Sequence, residues 1–291
     1  MKSDMKSDMK SDMKSDMKSD MKSDMKSDMK SDMKRASVLV FAGADPSGGA
    51  GIQADVQAIA ALGAHPLSVI TVLTAQDNDQ VYTIEPVSSD MVRRQAQALI
   101  DKIEISAVKI GIVGSRANAE AIAECIGMLR LQSPDLPVVL DPVLASGHGD
   151  ALAAEDPLLI LQSFLPLATL ITPNLPEVAA LCTGDRRAES QAESLMQRGC
   201  RNVLIKGGHS EGDKVVNRWF GMDGSRSWGW PRLPDAFHGS GCTLASGIAA
   251  LLAQGQGIAQ ALDGAQAYCH DALVRAYSIA PGQTIPNRST R

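Results

Sequence analysis

The sequence predicts an α/β protein whose central, mostly parallel sheet is covered by helices on both faces. Two observations carry that prediction. Short runs of nearly continuous Val, Ile and Leu alternate with segments whose apolar residues recur three and four positions apart. Glycine, Asp, Asn and Lys residues suited to ligand binding cluster just after those apolar runs. Strands buried on both faces lose the apolar/polar alternation of a half-exposed sheet, and when helices join them they pair in parallel.

The elements follow in order. Residues 38–41, 67–73, 108–110, 138–140, 170–172 and 203–206 read as strands, too short and too continuously apolar for helices. Between them, residues 52–62, 91–103, 118–131 and 176–182 carry helical spacing. Two further β-like runs, 215–220 and 227–230, extend one sheet edge before a final pair of helices from Ser240 onward. In such sheets ligands bind at the carboxyl ends of the strands.

The chain opens with a perfect Met-Lys-Ser-Asp repeat over residues 1–32, followed by Met33 and Lys34. This tract offers nothing to bury, so residues 1–34 are expected to be a solvated, disordered expression leader. Residues 35–291 are expected to form a single domain, because no linker interrupts the βα pattern. Of the 28 basic and 33 acidic residues, the leader holds nine Lys and eight Asp, which leaves 19 and 25 and a net charge of −6. That mildly acidic balance, without a basic stripe, argues against nucleic acid or an anionic membrane surface as partner. No apolar run is long enough to span a bilayer and no signal-peptide pattern stands at Arg35, so a cytoplasmic location is expected. The five cysteines are odd in number and lack metal-ligand spacing, and only Cys242 has surroundings that suggest chemistry.

Four constellations carry that chemistry. His238-Gly239-Ser240-Gly241-Cys242-Thr243 opens a small-residue helix. A helix N-terminus presents unpaired N–H groups, and flanking glycines admit an anion to them, so Gly239, Ser240 and Gly241 form a candidate anion hole. The same N–H groups would favour a thiolate at Cys242, as base or nucleophile; a tightly packed helix start with a buried thiol is the alternative. Asn174-Leu175-Pro176-Glu177 follows one strand and Asp141-Pro142 another, so two carboxylates and an amide can converge at the sheet edge, suiting Mg²⁺. Asn174 and Glu177 also have capping-box spacing, which does not exclude a metal role. Residues 43–51, rich in glycine, precede the helix containing Asp55 and resemble a dinucleotide loop only superficially. Asp45 would repel a pyrophosphate, so a loop against a flat ring fits better, with Asp55 available for a hydrogen bond to the ligand. Lys206-Gly207-Gly208-His209 places a cation where phosphate could be neutralised, though a strand-end lysine is commonly just solvated.

In that order, the segments Ala42–Asp55, 171–177, 206–209 and 238–243 resemble the hydroxymethylpyrimidine/phosphomethylpyrimidine kinases of the ribokinase superfamily, across nearly all of residues 37–275. The resemblance implies a ribokinase-like three-layer α/β/α fold and ATP-dependent phosphorylation of the hydroxymethyl group of 4-amino-5-hydroxymethyl-2-methylpyrimidine, then of its monophosphate, in thiamin biosynthesis. It implies ATP and Mg²⁺ as cofactors and a homodimer. It implies Gly43, Ala50, Gln76, Ile112 and Val143 around the pyrimidine, Asp141 and Glu177 near Mg²⁺, and Asn174, Lys206, Gly239, Ser240 and Gly241 at the nucleotide. Cys242, Gly239, Gly241 and Lys206 would carry transfer, with Cys242 where related sugar kinases have aspartate. The Gln76 amide can donate to and accept from an aminopyrimidine edge. Ala44 and Gly147 depart from the family pattern, the latter replacing a common lysine, which weakens the case for the second phosphorylation. Pyridoxal kinase activity, cysteine-dependent hydrolysis and non-catalytic ligand sensing remain as alternatives.

Overall fold

The computed structural model describes residues 34–145, 152, 155–182 and 184–289. All but the last residue of the expected leader, and Gly147, lie outside the described residues.

Nine strands form one sheet in the order β3-β2-β1-β4-β5-β6-β7-β8-β9. They are β1 (Ser37–Ala44), β2 (His65–Gln76), β3 (Val81–Pro86), β4 (Ala107–Ile110), β5 (Val138–Leu140), β6 (Leu170–Ile171), β7 (Asn202–Ile205), β8 (Lys214–Gly221) and β9 (Gly224–Pro231). The run from β2 to β7 is parallel, whereas β3 at one edge and the β8–β9 pair at the other are antiparallel. The mixed, mostly parallel sheet expected from the apolar runs is therefore present.

The helices are α1 (Gly51–Ala61), α2 (Ser89–Ile100), α3 (Arg116–Gln132), α4 (Pro157–Gln162), α5 (Leu175–Leu181), α6 (Ala188–Gln197), α7 (Ser240–Ala253) and α8 (Ile258–Val274). They divide into two layers because successive side chains of each strand face opposite ways. Leu39, Phe41, Val108, Ile110, Val138 and Leu140 pack against α2, α3, α5 and α6. Val38, Val40, Ala107, Val139 and Leu170 pack against α1, α7 and α8. These strand residues are inaccessible to water, and each large aliphatic side chain so buried contributes about 1.5–3 kcal/mol.

Three elements escaped the periodicity reading. β3 has mostly exposed or half-exposed residues, including Tyr82, so its sequence lacks an apolar run. The short α4 and the polar α6 each bury only two or three side chains. No described helix is long and apolar enough to cross a membrane.

From β1 the chain turns one way to β2 and later the other way to β4, which makes a topological switch point beside β1. A crevice outside the carboxyl ends of the strands is the consequence.

Candidate active site

The loop after β1 is organised by Asp45, whose side chain is fully buried. Its carboxylate accepts from the backbone N–H of Ser47 at 2.8 Å and of Ala50 at 2.6 Å, while the Asp45 N–H donates to Gln53 Oε1 at 2.9 Å. His238 Nε2 lies 2.8 Å from Asp45 Oδ2, tying this loop to the approach of α7. Burial raises the Asp45 pKa, but the hydrogen bonds from His238, Ser47 and Ala50 outweigh it and hold the carboxyl below its usual value. Gly51 closes the loop at φ +57°, and a Cβ there would stand 2.4 Å from Gly43 O, so only glycine fits.

Asp55, expected to be available to a ligand, has a fully buried side chain occupied by protein partners. Lys109 Nζ donates to its two oxygens at 3.0 and 2.9 Å, and Ser246 Oγ donates at 2.6 Å. Asp55 lies on the core-facing side of α1 opposite the buried Lys109 of β4, and neither side chain has any exposure. The carboxylate therefore serves the sheet–helix packing. Burial opposes the charge on Lys109, yet Asp55 overrides it and raises the ammonium pKa.

The other residues expected around a ring stand at the carboxyl ends of adjacent strands. Gly43 ends β1 and is buried; a Cβ there would lie 3.8 Å from Ile112 Cβ, so these two positions adjoin. Ile112 and Val143 follow β4 and β5, Gln76 ends β2, Ala50 caps α1, and all four are part-exposed.

One strand further along, Asp141 follows β5 and is 1% exposed. Its Oδ1 accepts from Lys206 Nζ at 2.9 Å and from Thr172 Oγ1 at 3.1 Å. Burial would raise the Asp141 pKa, but Lys206 and then Lys109 overcome it and keep the carboxyl ionised. Lys206 follows β7, bridges in register to Asn174, and also lies 4.0 Å from Glu177 Oε2. Burial pushes the Glu177 carboxyl up to about 7; Lys206 lowers it in part and Asp141 raises it further. Asn174 and Glu177 form a complete capping box on α5, with bonds of 2.8 and 2.7 Å.

Helix α7 closes the far side. Gly239 is its N-cap at φ +82°, where a Cβ would meet Gly49 O at 2.1 Å, so glycine is required there as well. The ladder begins with Thr243 N–H onto Gly239 O at 3.0 Å, which leaves the N–H groups of Ser240, Gly241 and Cys242 ahead of the first ladder bond. A Cβ on Gly241 would lie 3.2 Å from Lys206 Nζ and 3.6 Å from Asp141 Oδ2. The helix N-terminus thus shares one crevice with the lysine and the carboxylates.

The expected thiolate at Cys242 is not supported. Burial pushes the thiol up to about 11; Lys109 and the Gly51 N–H lower it, while Asp55 and Asp141 raise it. Desolvation and the two carboxylates outweigh Lys109 and the Gly51 N–H, so the thiol lies above its usual range.

Lys109 and Arg288 contribute to the architecture without having been singled out from sequence, and Thr172 and His238 stand in the quoted segments without an expected role. A lysine inside the Ala107–Ile110 strand was a readable anomaly. Arg288, far along the chain, carried no local signal.

The phosphomethylpyrimidine kinase family model matches residues 45–287. The chain belongs to that family. It is accordingly a phosphotransferase. It is 40% identical over 261 residues to the hydroxymethylpyrimidine/phosphomethylpyrimidine kinase of Rhizobium meliloti, covering 85% of this chain and 94% of the relative. The Escherichia coli protein of the same description is 36% identical over 258 residues, covering 86% and 96%. Among solved structures, phosphomethylpyrimidine kinase from Clostridium difficile superposes with a TM-score of 0.70 at 32% identity, covering 82% of this chain and all of that one. An ADP complex of Bacillus subtilis pyridoxal kinase gives a TM-score of 0.76 at 26% identity, covering 88% and 98%. The ribokinase-like α/β fold implied by the sequence motifs is the fold observed.

Proposed function

We propose that this protein transfers the terminal phosphoryl group of ATP to the hydroxymethyl group of 4-amino-5-hydroxymethyl-2-methylpyrimidine, and then phosphorylates that monophosphate to the diphosphate, as a step of thiamin biosynthesis. The observation that carries the reading is the approach of the glycine-opened end of α7 to Lys206 and Asp141, beside the loop that adjoins Gly43 and Ile112. One side of the crevice suits polyphosphate and the other a flat ring.

In this reading the N–H groups of Ser240, Gly241 and Cys242 receive the charge that builds on the transferred group, and Lys206 neutralises it from the opposite side. Asn174 borders the nucleotide. Asp141 and Glu177 supply hard oxygen donors, and among the described residues no cluster of three or more His, Cys, Asp or Glu could hold a metal ion. That donor set fits Mg²⁺, which is bound largely by water and substrate phosphates and needs only one or two carboxylates. When bound, Mg²⁺ would neutralise phosphate charge. Gly43, Ala50, Gln76, Ile112 and Val143 hold the ring, with the Gln76 amide pairing its aminopyrimidine edge. Cys242, as a neutral thiol, orients the attacking hydroxyl by hydrogen bonding. A loose phosphoryl-transfer transition state asks little of a base, so positioning carries the rate. A homodimer and a cytoplasmic location complete the reading.

Incubation with ATP, Mg²⁺ and either the hydroxymethylpyrimidine or pyridoxal at equal concentration, followed by mass analysis, tests it. The expected products are the pyrimidine mono- and diphosphates. Preferential phosphorylation of pyridoxal would overturn the substrate assignment. Turnover of an ester without ATP would overturn the transfer chemistry.

A further inference from the structure

Arg288 is 2% exposed, and its guanidinium is spent on the two loops that meet at the crevice. Nε donates to Thr243 Oγ1 at 2.8 Å in the first turn of α7. Nη2 donates to Gly49 O in the ring loop and, at 3.4 Å, to Gly239 O at the N-cap. Nη1 reaches Gln57 Oε1 at 3.5 Å on α1. Among the described residues, no carboxylate lies within ion-pair distance of this cation.

Other hydrogen bonds also fasten the segment that carries Arg288. Asn287 N–H donates to Ala272 O at 2.9 Å, and Tyr268 Oη donates to Arg288 O at 2.9 Å, so backbone groups already fasten the segment to α8. A buried arginine costs desolvation, and here its planar fork spans two carbonyls and a hydroxyl drawn from different elements. Gly239 O and Thr243 Oγ1 belong to the start of α7, and Gly49 O to the loop after β1.

We propose that Arg288 is a positioning residue, whose buried guanidinium locks the ring loop at Gly49 to the N-cap of the anion-binding helix at Gly239 and so sets the distance between acceptor hydroxyl and phosphoryl donor. The proposal rests on the assignment of the α7 N-terminus as the phosphoryl site. Gly239 and Gly49 approach so closely that a Cβ on Gly239 would lie 2.1 Å from Gly49 O and 2.9 Å from Arg288 Nη2, so the guanidinium sits at the joint itself. Reactants held on two separate loops lose rate steeply when the loops shift, by about 10²-fold for a displacement near 1 Å.

The test uses Arg288→Met and Arg288→Lys in the full chain, with steady-state kinetics on the hydroxymethylpyrimidine and calorimetric binding of ADP and of the pyrimidine separately. Arg288→Met is expected to lower kcat about 100-fold while each separate affinity changes less than threefold, because each half-site survives and only their relation is lost. Arg288→Lys is expected to recover at most about tenfold, since an ammonium lacks the fork. A kcat per folded molecule within threefold of wild type in Arg288→Met overturns the proposal. Should Arg288→Met fail to fold, Arg288→Lys decides: kcat reduced at least tenfold with both affinities retained supports it, and a smaller reduction overturns it. Gly241→Ala separates the two levels, because its methyl intrudes 3.2 Å from Lys206 Nζ. If Gly241→Ala keeps full activity, the site assignment falls and this inference with it. If Gly241→Ala is impaired and the Arg288 variants are not, the inference alone falls.

Discussion

The molecule contains two lysine–carboxylate pairs of nearly the same length that behave as different objects. Lys109 and Asp55 meet at 2.9 Å with neither side chain exposed, and Ser246 closes the remaining space. Lys206 and Asp141 also meet at 2.9 Å, but the Lys206 side chain is 14% exposed and borders the end of α7. The first joins β4 to α1 and α7 behind the sheet edge; the second lies where the strands stop. Contact distance does not distinguish a sealed ion pair from an accessible one here. Access to the crevice does, together with a third ionisable group, Glu177, which accompanies only the second pair.

The comparison is broken most severely by Lys109→Met. Leaving the Asp55 carboxylate buried without its cation is expected to cost about 3–5 kcal/mol of folding stability, measured by urea unfolding. Adding Asp55→Leu should restore most of that loss, because an apolar pair requires no desolvation of charge. If Lys109→Met instead unfolds like wild type, the pair is not the packing element described above.

Lys206→Met should show the reverse profile. Loss of a preorganised charge facing the transferred group is expected to reduce kcat by about 10²–10³-fold, with the urea midpoint falling less than in Lys109→Met because the Lys206 side chain is partly exposed. Wild-type turnover in Lys206→Met would remove the distinction between the two pairs.

A smaller effect sharpens the role of Glu177. Its folded-state pKa is raised from 4.5 to about 7, chiefly by burial, so between those values the folded protein binds the extra proton. Stability contributed by this group therefore falls as pH rises from about 4.5 through 7. Asp141, whose pKa is lowered, acts in the opposite sense and only below its ordinary range. Glu177→Gln keeps the capping geometry and should flatten the decline between pH 5 and 8 in denaturant midpoint. An unchanged slope would place the proton elsewhere.

Much of this architecture was legible in the linear chain because its signals are local. Val138–Leu140 reads as a strand since three consecutive aliphatic residues have no exposed face, and Asp141-Pro142 marks where it ends. Gly239 and Gly241 advertise a helix start near residue 240, and Asn174 with Glu177 advertises a cap that the structure contains. β3 was invisible because an exposed edge strand needs no apolar run. The same locality limits what the chain discloses at two residues. Nothing near Asp55 in sequence discloses Lys109, 54 residues away, so its burial is not legible there. For Cys242 the helix position leaves both a thiolate and a buried thiol open, and its pKa answers to burial and to charged groups on other elements.

The sequence by itself determined the alternation of strands and helices, the edge of the sheet on which the polar residues fall, and the glycine-opened helix start near residue 240. Periodicity, turns and caps are properties of neighbouring residues. Tertiary structure alone decided which lysine is sealed and which faces the crevice, whether a thiol is charged, and that Arg288 reaches Gly49 across 239 positions. Those outcomes depend on desolvation and on the summed field of groups brought together by folding, which no stretch of chain carries within itself.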